Sequence, residues 1–368
     1  MSGRDGDPVI VARLDSAGDV LLAGPAVRAV ACDHPVVMVA GPLGAEAARL
    51  LPGVSDVIEL AAPWVLTNPP PVDGSVLARF IAEVAALRAR SAAILTSSHQ
   101  SPLPLALALR LAGVPELAGI SVDYPGSLLD HRIPGDPEVH EVTRALAIVR
   151  RLGHRLPDGD DRLAVDVPAG PAPGASPGGP YVVVHPGASA EARTLSPERW
   201  QAVVSALGAA GRRVLVTGST GETALTAAVA AAHPGALDRG GAGTLAGLAA
   251  TIAGAEAVVC GNTGPMHLAA ALGTPVAAVF PPTVPLARWR PWRVPHVVLG
   301  DQDAPCLGCR SRTCAVPGQP CLDPVTPEAV VDAVDLLAGP PPVLGPVGTA
   351  ATAATPATTP VLQPEEVR

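Results

Sequence analysis

The sequence predicts an α/β protein of two doubly wound domains facing across a cleft. Three observations carry this. Short apolar runs alternate with helical stretches along the chain, the pattern of strand–helix–strand units around a parallel sheet. The alternation breaks once, at Val167–Pro180 (VPAGPAPGASPGGP), and then restarts. At 368 residues the chain is long enough for two domains with cores of their own. In such folds the ligand site lies at the carboxyl ends of the strands, here in the cleft between the halves.

In the first half, Val9–Ala12, Val36–Ala40, Val57–Leu60, Ala92–Thr96 and Gly119–Val122 read as strands, each a short apolar run suited to a sheet covered on both faces. Between them Val20–Ala31, Leu43–Leu51, Ser75–Arg90 and Pro102–Ala112 read as helices. Glu138–Leu152 closes this half, with Val142, Leu146 and Val149 on one face. In the second half, Tyr181–His185, Arg213–Thr217, Ala257–Cys260 and Pro275–Phe280 read as strands. Pro197–Ala210, Glu222–Ala232, Leu245–Ala253, Pro265–Leu272 and Pro327–Leu337 read as helices. The expected organisation is an N-terminal domain over 1–166, a linker over 167–180, and a C-terminal domain over 181–338. A Pro/Ala/Thr-rich tail, expected to be disordered, fills 339–368.

Composition narrows the function. All 25 basic residues are arginine, and the formal net charge is −8, which argues against a nucleic-acid binder. No apolar run approaches the roughly 20 residues of a membrane helix. The segment MSGRDGDPVIVARLDSAGD lacks the shape of a signal peptide. A cytoplasmic protein is expected.

The most informative stretch is Val258–Phe280, a buried strand, a tight loop and a helix opening at Pro265. Asn262 or Thr263 suits the cap position, Gly264 permits unusual backbone angles, and Pro265 suits the first helical position. The exposed N–H groups and dipole of such a helix start form an anion site. His267 lies one turn in, either facing a bound phosphate or serving as a structural histidine. His185-Pro186-Gly187-Ala188-Ser189, with Arg193 beyond it, and Gly218-Ser219-Thr220-Gly221-Glu222 both follow strands. Each is either a phosphate or nucleoside contact or an ordinary strand–helix turn. In the first half, Gly18-Asp19 follows the first strand. Asp19 is either a helix-capping carboxylate or a general base facing the cleft. His99 and Gln100 follow another strand, on the side an acceptor would occupy. Cys306, Cys309, Cys314 and Cys321 crowd one loop with the spacing of a structural zinc or iron–sulfur site, whereas Cys32 and Cys260 read as buried core residues.

Together RLDSAGDVLLAGPAVRA, HPGAS with a following cation, TGSTGE and NTGPMHLAAALGTP resemble glycosyltransferase family 9, which includes the ADP-heptose:lipopolysaccharide heptosyltransferases. The resemblance covers roughly residues 9–335. It implies a GT-B fold of two Rossmann-like domains, with the acceptor on the first and the nucleotide-sugar on the second. It also implies an inverting sugar transfer that requires no metal or other cofactor. By that likeness Asp19 is the base, with Gly18 on the acceptor side; His99 and Gln100, placed by their strand alone, either join it there or belong to an ordinary polar loop. Ser189, Arg193, Gly218, Glu222, Asn262, Thr263, Gly264, Met266 and His267 bind the donor. Arg193 stands where the family usually has lysine, and Asn262 where it commonly has aspartate. The partners implied are a nucleotide-diphosphate sugar and a glycan or glycolipid acceptor, which would bring the protein to the inner face of a membrane. Two other readings fit the same motifs. One is a non-catalytic nucleotide-sugar sensor, which would not need Asp19, and the other is a sugar epimerase of the same fold.

Overall fold

In the computed structural model of the protein, the described residues are 6–66, 68–97, 99–136, 138–167, 179–241 and 243–340. The first lobe runs β1 (Val9–Arg13), α1 (Ala17–Leu22), α2 (Gly24–Ala31), β2 (Val36–Ala40), α3 (Ala45–Arg49), β3 (Val54–Glu59), α4 (Gly74–Leu87), β4 (Ser91–Leu95), α5 (Leu103–Leu111), β5 (Leu117–Ile120), β6 (His131–Ile133) and α6 (Glu141–Arg151). The second runs β7 (Val182–His185), α7 (Pro197–Ala209), β8 (Val214–Gly218), α8 (Thr223–Ala230), β9 (Leu237–Gly240), α9 (Leu245–Ala253), β10 (Ala257–Gly261), α10 (Gly264–Leu272), β11 (Val276–Val279), α11 (Leu286–Trp289), β12 (His296–Leu299) and α12 (Pro327–Ala338).

Each lobe holds one six-stranded parallel sheet. The orders are β3-β2-β1-β4-β5-β6 and β12-β11-β10-β7-β8-β9. Numbered from the first strand of its own lobe, each follows the 3-2-1-4-5-6 order of dinucleotide-binding folds. The chain reverses direction across the sheet between β1 and β4, and between β7 and β10. Crevices open there, beyond the strand ends, and both strand pairs are in parallel register, Val9 opposite Ser91 and Ala257 opposite Val182. The central strands are buried from end to end, as strands covered by helices on both faces must be.

Several boundaries differ from the sequence expectation, each for a physical reason. The single helix expected over Val20–Ala31 is two, α1 and α2, meeting at Ala23. Pro25 lies in the first turn of α2, where its missing N–H is harmless, so the helix restarts there instead of running through. Strand β3 begins three residues before the expected Val57, because its edge position exposes Ser55 and Asp56. The edge strands β6, β9 and β12 were not expected; β9, LDRG, is largely polar and carries no apolar run. Cys32 is exposed, at the end of α2, and not buried as expected; Cys260 is buried in β10. The linker and tail readings fall almost wholly outside the described residues. Among those described, no helix is long and apolar enough to cross a membrane.

Most longer helices begin at side-chain caps. Asp73 accepts from the N–H of Ser75 at 2.8 Å, Thr244 from Gly247 at 3.2 Å and Thr326 from Ala329 at 3.2 Å. Helix α12 returns to α7 and seals the second lobe, and Arg212 ties its end to Asp335 at 2.6 Å and to the Gly339 carbonyl. One apolar cluster is continuous between the lobes, joining Val20 and Leu21 of α1 to Met266, Leu268 and Ala269 of α10.

In the second core, Trp200 is fully buried and its indole N–H donates to Thr194 Oγ1 at 2.8 Å. Trp200→Ala should therefore lower the unfolding free energy by about 3–5 kcal/mol in urea denaturation, with most of that loss coming from the cavity left behind.

Candidate functional site

On the first lobe the site is built around Arg13, the last residue of β1. Its guanidinium is buried and faces acceptors on three sides, although its Nε, paired in charge with Asp15, makes no hydrogen bond. Nε lies 2.7 Å from Asp15 Oδ2, Nη2 donates to Asp19 Oδ1 at 2.8 Å and to Ser97 Oγ at 2.9 Å, and Nη1 donates to Glu141 Oε2 at 3.2 Å. Ser16 precedes α1 in extended conformation, so Asp19 falls in the first helical turn. There the Ser16 hydroxyl donates to Asp19 Oδ2 at 2.9 Å. Burial pushes the Asp19 carboxyl up, but Arg13, the Ser16 hydroxyl and the nearby His267 outweigh it, and the group is held below the usual carboxylate range. Its neighbour Asp15 is pushed the other way by deeper burial, against the pull of Arg13. Gln100 and Ser97 donate to the two Asp15 oxygens. Gln100 thus supports Asp15, whereas His99 stands exposed on the loop after β4.

On the second lobe Thr263 leads into α10 with no side-chain cap of its own, and Pro265 occupies the first turn. The helix start therefore leaves the Gly264 N–H without a side-chain cap, while Pro265 has no N–H and that of Met266 bonds to the Thr263 carbonyl. It meets the start of α1 almost in contact. A methyl group at Gly18 would lie 3.0 Å from His267 Cδ2 and 3.2 Å from Gly264 Cα, so any side chain there would press the two helix starts apart by a few tenths of an ångström. His267 is 4 % exposed, beneath Gly18 and beside Asp19, and its Nδ1 has no hydrogen-bond partner. Arg193 lies within electrostatic reach of Asp19, and its Nε also has no partner. Two helix N-termini, one arginine and one carboxylate thus converge where the two sheets face each other.

The other expected residues separate into groups. Asn262 is buried at the end of β10. The Met266 side chain belongs to the core and its N–H bonds to Thr263, so it presents no side chain to the cleft. Glu222 accepts from both the N–H and the hydroxyl of Ser219 at 2.7 Å, the reciprocal cap of the turn before α8. Its carboxylate lies against Gly187, where any side chain would overlap it, so the turns after β7 and β8 form one pocket wall with Gly218. His185 sits behind that wall, bonded to Thr217 Oγ1 at 3.0 Å. Ser189 is exposed, and its carbonyl accepts from Arg312 at 2.8 Å. In the cysteine loop Cys321 is buried and its thiol is pushed up to about 11, first by burial and then by Cys306, Cys314 and Cys309. The four thiols therefore share one neighbourhood. Among the described residues, no three potential ligands converge on a common point that would hold a metal ion.

Arg13, Asp15, Glu141 and Arg288 were not expected as site residues. The signal for Arg13 was legible, since a charged residue closing a fully buried strand needs partners. Glu141 and Arg288 carried no such signal, because the fold brings them together across 147 positions.

Burial holds His140, His185 and His267 down at about 4, against a value near 6.5 in an unfolded chain. Between these values the unfolded state binds more protons, so stability should fall as pH drops from about 6.5 to 4. Asp15, raised in the folded state, acts in the opposite sense. His267→Asn should show a shallower loss than wild type over this window in urea denaturation, and an unchanged slope would contradict the burial of a neutral His267.

The profile of Glycosyltransferase family 9 (heptosyltransferase) matches residues 121–319, more than half of the chain. Lipooligosaccharide heptosyltransferase 2 of Campylobacter jejuni serotype O:2 is 29 % identical over 89 residues, 24 % of this chain and 28 % of that protein. The match thus spans under a third of the curated relative's length. The structure of E. coli ADP-heptose lps heptosyltransferase II superposes with a TM-score of 0.70 at 18 % identity, covering 90 % of this chain and 98 % of that one. E. coli heptosyltransferase WaaC with ADP-2-deoxy-2-fluoro heptose gives a TM-score of 0.70 at 19 % identity, covering 89 % and 99 %. These likenesses establish the GT-B architecture, and the profile match places the chain in its family: it belongs to glycosyltransferase family 9.

Proposed function

We propose that this protein transfers a sugar from a nucleotide-diphosphate donor on the second lobe to a hydroxyl group presented by the first. The observation that supports it most is the near contact of the α1 and α10 starts, which sets the Asp19 carboxylate opposite an anion-binding helix end and Arg193. The acceptor oxygen attacks the anomeric carbon from the face opposite the diphosphate. As that bond forms, the carbon–oxygen bond to the diphosphate breaks and the hydroxyl proton passes to Asp19. The configuration inverts. The charge left on the nucleotide diphosphate falls on Arg193 and the N–H groups that open α10, placed in advance of the reaction. Because Asp19 is held ionised, it is a weak base, and the proton moves only as the attacking oxygen acidifies.

The donor we assign is an ADP-linked heptose or related sugar. The E. coli enzyme of the same fold is described with an ADP-heptose analogue. Asn262 stands at the donor end of β10 as a neutral residue, so it recognises sugar hydroxyls by hydrogen bonding without charge. The pocket wall of Gly187, Gly218 and Glu222 receives the nucleoside. The acceptor is a glycan or glycolipid, reached at the inner face of a membrane. The cysteine loop takes no part in the transfer. We assign its four thiols a structural role, as the ligands of a zinc or iron–sulfur site.

Asp19→Asn keeps the shape and removes the base. It should lower the transfer rate by about 10²–10⁴-fold while leaving donor affinity close to wild type. A rate near wild type would remove Asp19 from the role of base. For the loop, elemental analysis of the purified protein should find zinc or iron that Cys309→Ser loses; a metal-free chain with every thiol titratable would contradict the structural site.

A further inference from the structure

Beyond the base itself, the junction of the lobes contains a closed electrostatic circuit. Three guanidiniums, Arg13, Arg144 and Arg288, meet three carboxylates, Asp15, Asp19 and Glu141. Glu141, the first residue of α6, is its centre. One of its oxygens takes Arg13 Nη1 at 3.2 Å. The other takes Arg288 Nε at 2.9 Å and Nη2 in a still closer contact, and lies 3.2 Å from Arg144 Nε. Arg288 belongs to α11 of the second lobe, so the circuit crosses between lobes. The side chains of Arg13, Glu141 and Arg288 are 4 %, 2 % and 3 % exposed, whereas Asp19 is 20 % exposed. The one member open to a substrate is the one read here as the base.

We infer that Glu141 and Arg288 are positioning residues for Asp19, which convey closure of the two lobes to that carboxylate through the guanidinium of Arg13. The inference rests on the reading of Asp19 as the base, but its physical part stands on the contacts alone. A guanidinium is planar and its donors have fixed directions. In Arg13, Nη2 donates to Asp19 and Nη1 to Glu141 while Nε lies beside Asp15 in an ion pair, so a turn of the plane toward Glu141 also changes the contact to Asp19. If the lobes part, Arg288 leaves Glu141 and the six charges no longer balance. A buried carboxylate robbed of the two donors on one of its oxygens is costly, and Glu141 then draws on Arg13 more strongly. Turning the Arg13 plane toward Glu141 moves Nη2 away from Asp19. In the closed arrangement the base is oriented, and in the open one it is not.

A second pair between the same regions serves as a control. Arg293 Nε lies 3.0 Å from Asp161 Oδ1 across the same junction, but it is 58 % exposed and touches none of the six charges. The groups that face Asp19 itself are Arg13, Ser16, Asp15, His267 and Arg193. Neither Arg288 nor Arg293 is among them, so a link between Asp19 and Arg288 runs through the charges that lie between them, Arg13 with Glu141 and Arg144.

A double-mutant cycle on the full chain, free of donor and acceptor, tests this. Asp19→Asn, Arg288→Ala and the double variant are compared by thermal unfolding at neutral pH. We expect the Tm change caused by Asp19→Asn to differ by roughly 2–4 °C between the wild-type and Arg288→Ala backgrounds, the size of a coupling between linked residues. The same cycle with Arg293→Ala should be additive. If Arg288→Ala does not fold, Arg288→Lys, which keeps the charge and loses the fork, replaces it. Additivity of Asp19→Asn with the Arg288 variant would overturn the inference. So would equal coupling in the Arg293 cycle, which would make the effect a general loosening of the lobes. Because no sugar transfer enters the cycle, absence of transferase activity would overturn the functional reading and leave this result standing. Where transfer is measured, Arg288→Ala should lower kcat with donor affinity unchanged.

Discussion

A guanidinium 4 % exposed at the end of a buried strand is tolerable only if its charge is met, and the Arg13 side chain is met by three carboxylates and a hydroxyl. That single requirement shapes the junction of the two lobes. It fixes Asp15 and Asp19 on the turn into α1, fixes Glu141 at the start of α6, and through Glu141 calls for Arg288 from α11 of the other lobe. Each carboxylate would be unfavourable where it lies without the cation, and the cation without them.

The second constraint is steric. The α1 and α10 starts approach so closely that a side chain at Gly18 would crowd His267 and the Gly264 backbone. Bringing together two helix ends of the same polarity concentrates partial positive charge in one place. In the first lobe Asp19 answers that charge from within its own first turn. In the second, Thr263 provides no side-chain cap, and Arg193 and His267 each keep an unsatisfied nitrogen nearby. The second side is therefore electrostatically incomplete, as a surface that receives a polyanion should be, while on the first the Asp19 carboxylate meets the helix-end charge and keeps an exposed edge.

Much of this was legible in the sequence because local chemistry decides it. The buried central strands announced themselves as apolar runs, and α9 was read to its end residues because Thr244 caps it and Gly254 follows it. The turns after β1, β7, β8 and β10 were recognised by their glycines and caps. What escaped was settled by tertiary position. Edge strands β6 (HRI) and β9 (LDRG) carry no apolar run, and β12 (HVVL) has one of only three residues. The break between α1 and α2 was signalled by Pro25, a cue overridden by the apolar stripe on either side. Glu141 and Arg288 look like ordinary helix residues until the fold buries them against each other. Glu222, expected at the nucleoside, has a visible local task as the cap of its own turn, and it lies against Gly187.

The account depends most directly on the second lobe receiving a nucleotide diphosphate at Arg193 and the start of α10. Calorimetric titration of ADP, UDP and GDP into the wild-type protein and Arg193→Ala would test it. The account predicts that ADP binds wild type preferentially and that Arg193→Ala weakens it by about tenfold or more, the loss for one charge-assisted contact. Binding of none of the three, or an affinity for ADP unchanged in Arg193→Ala, would contradict it.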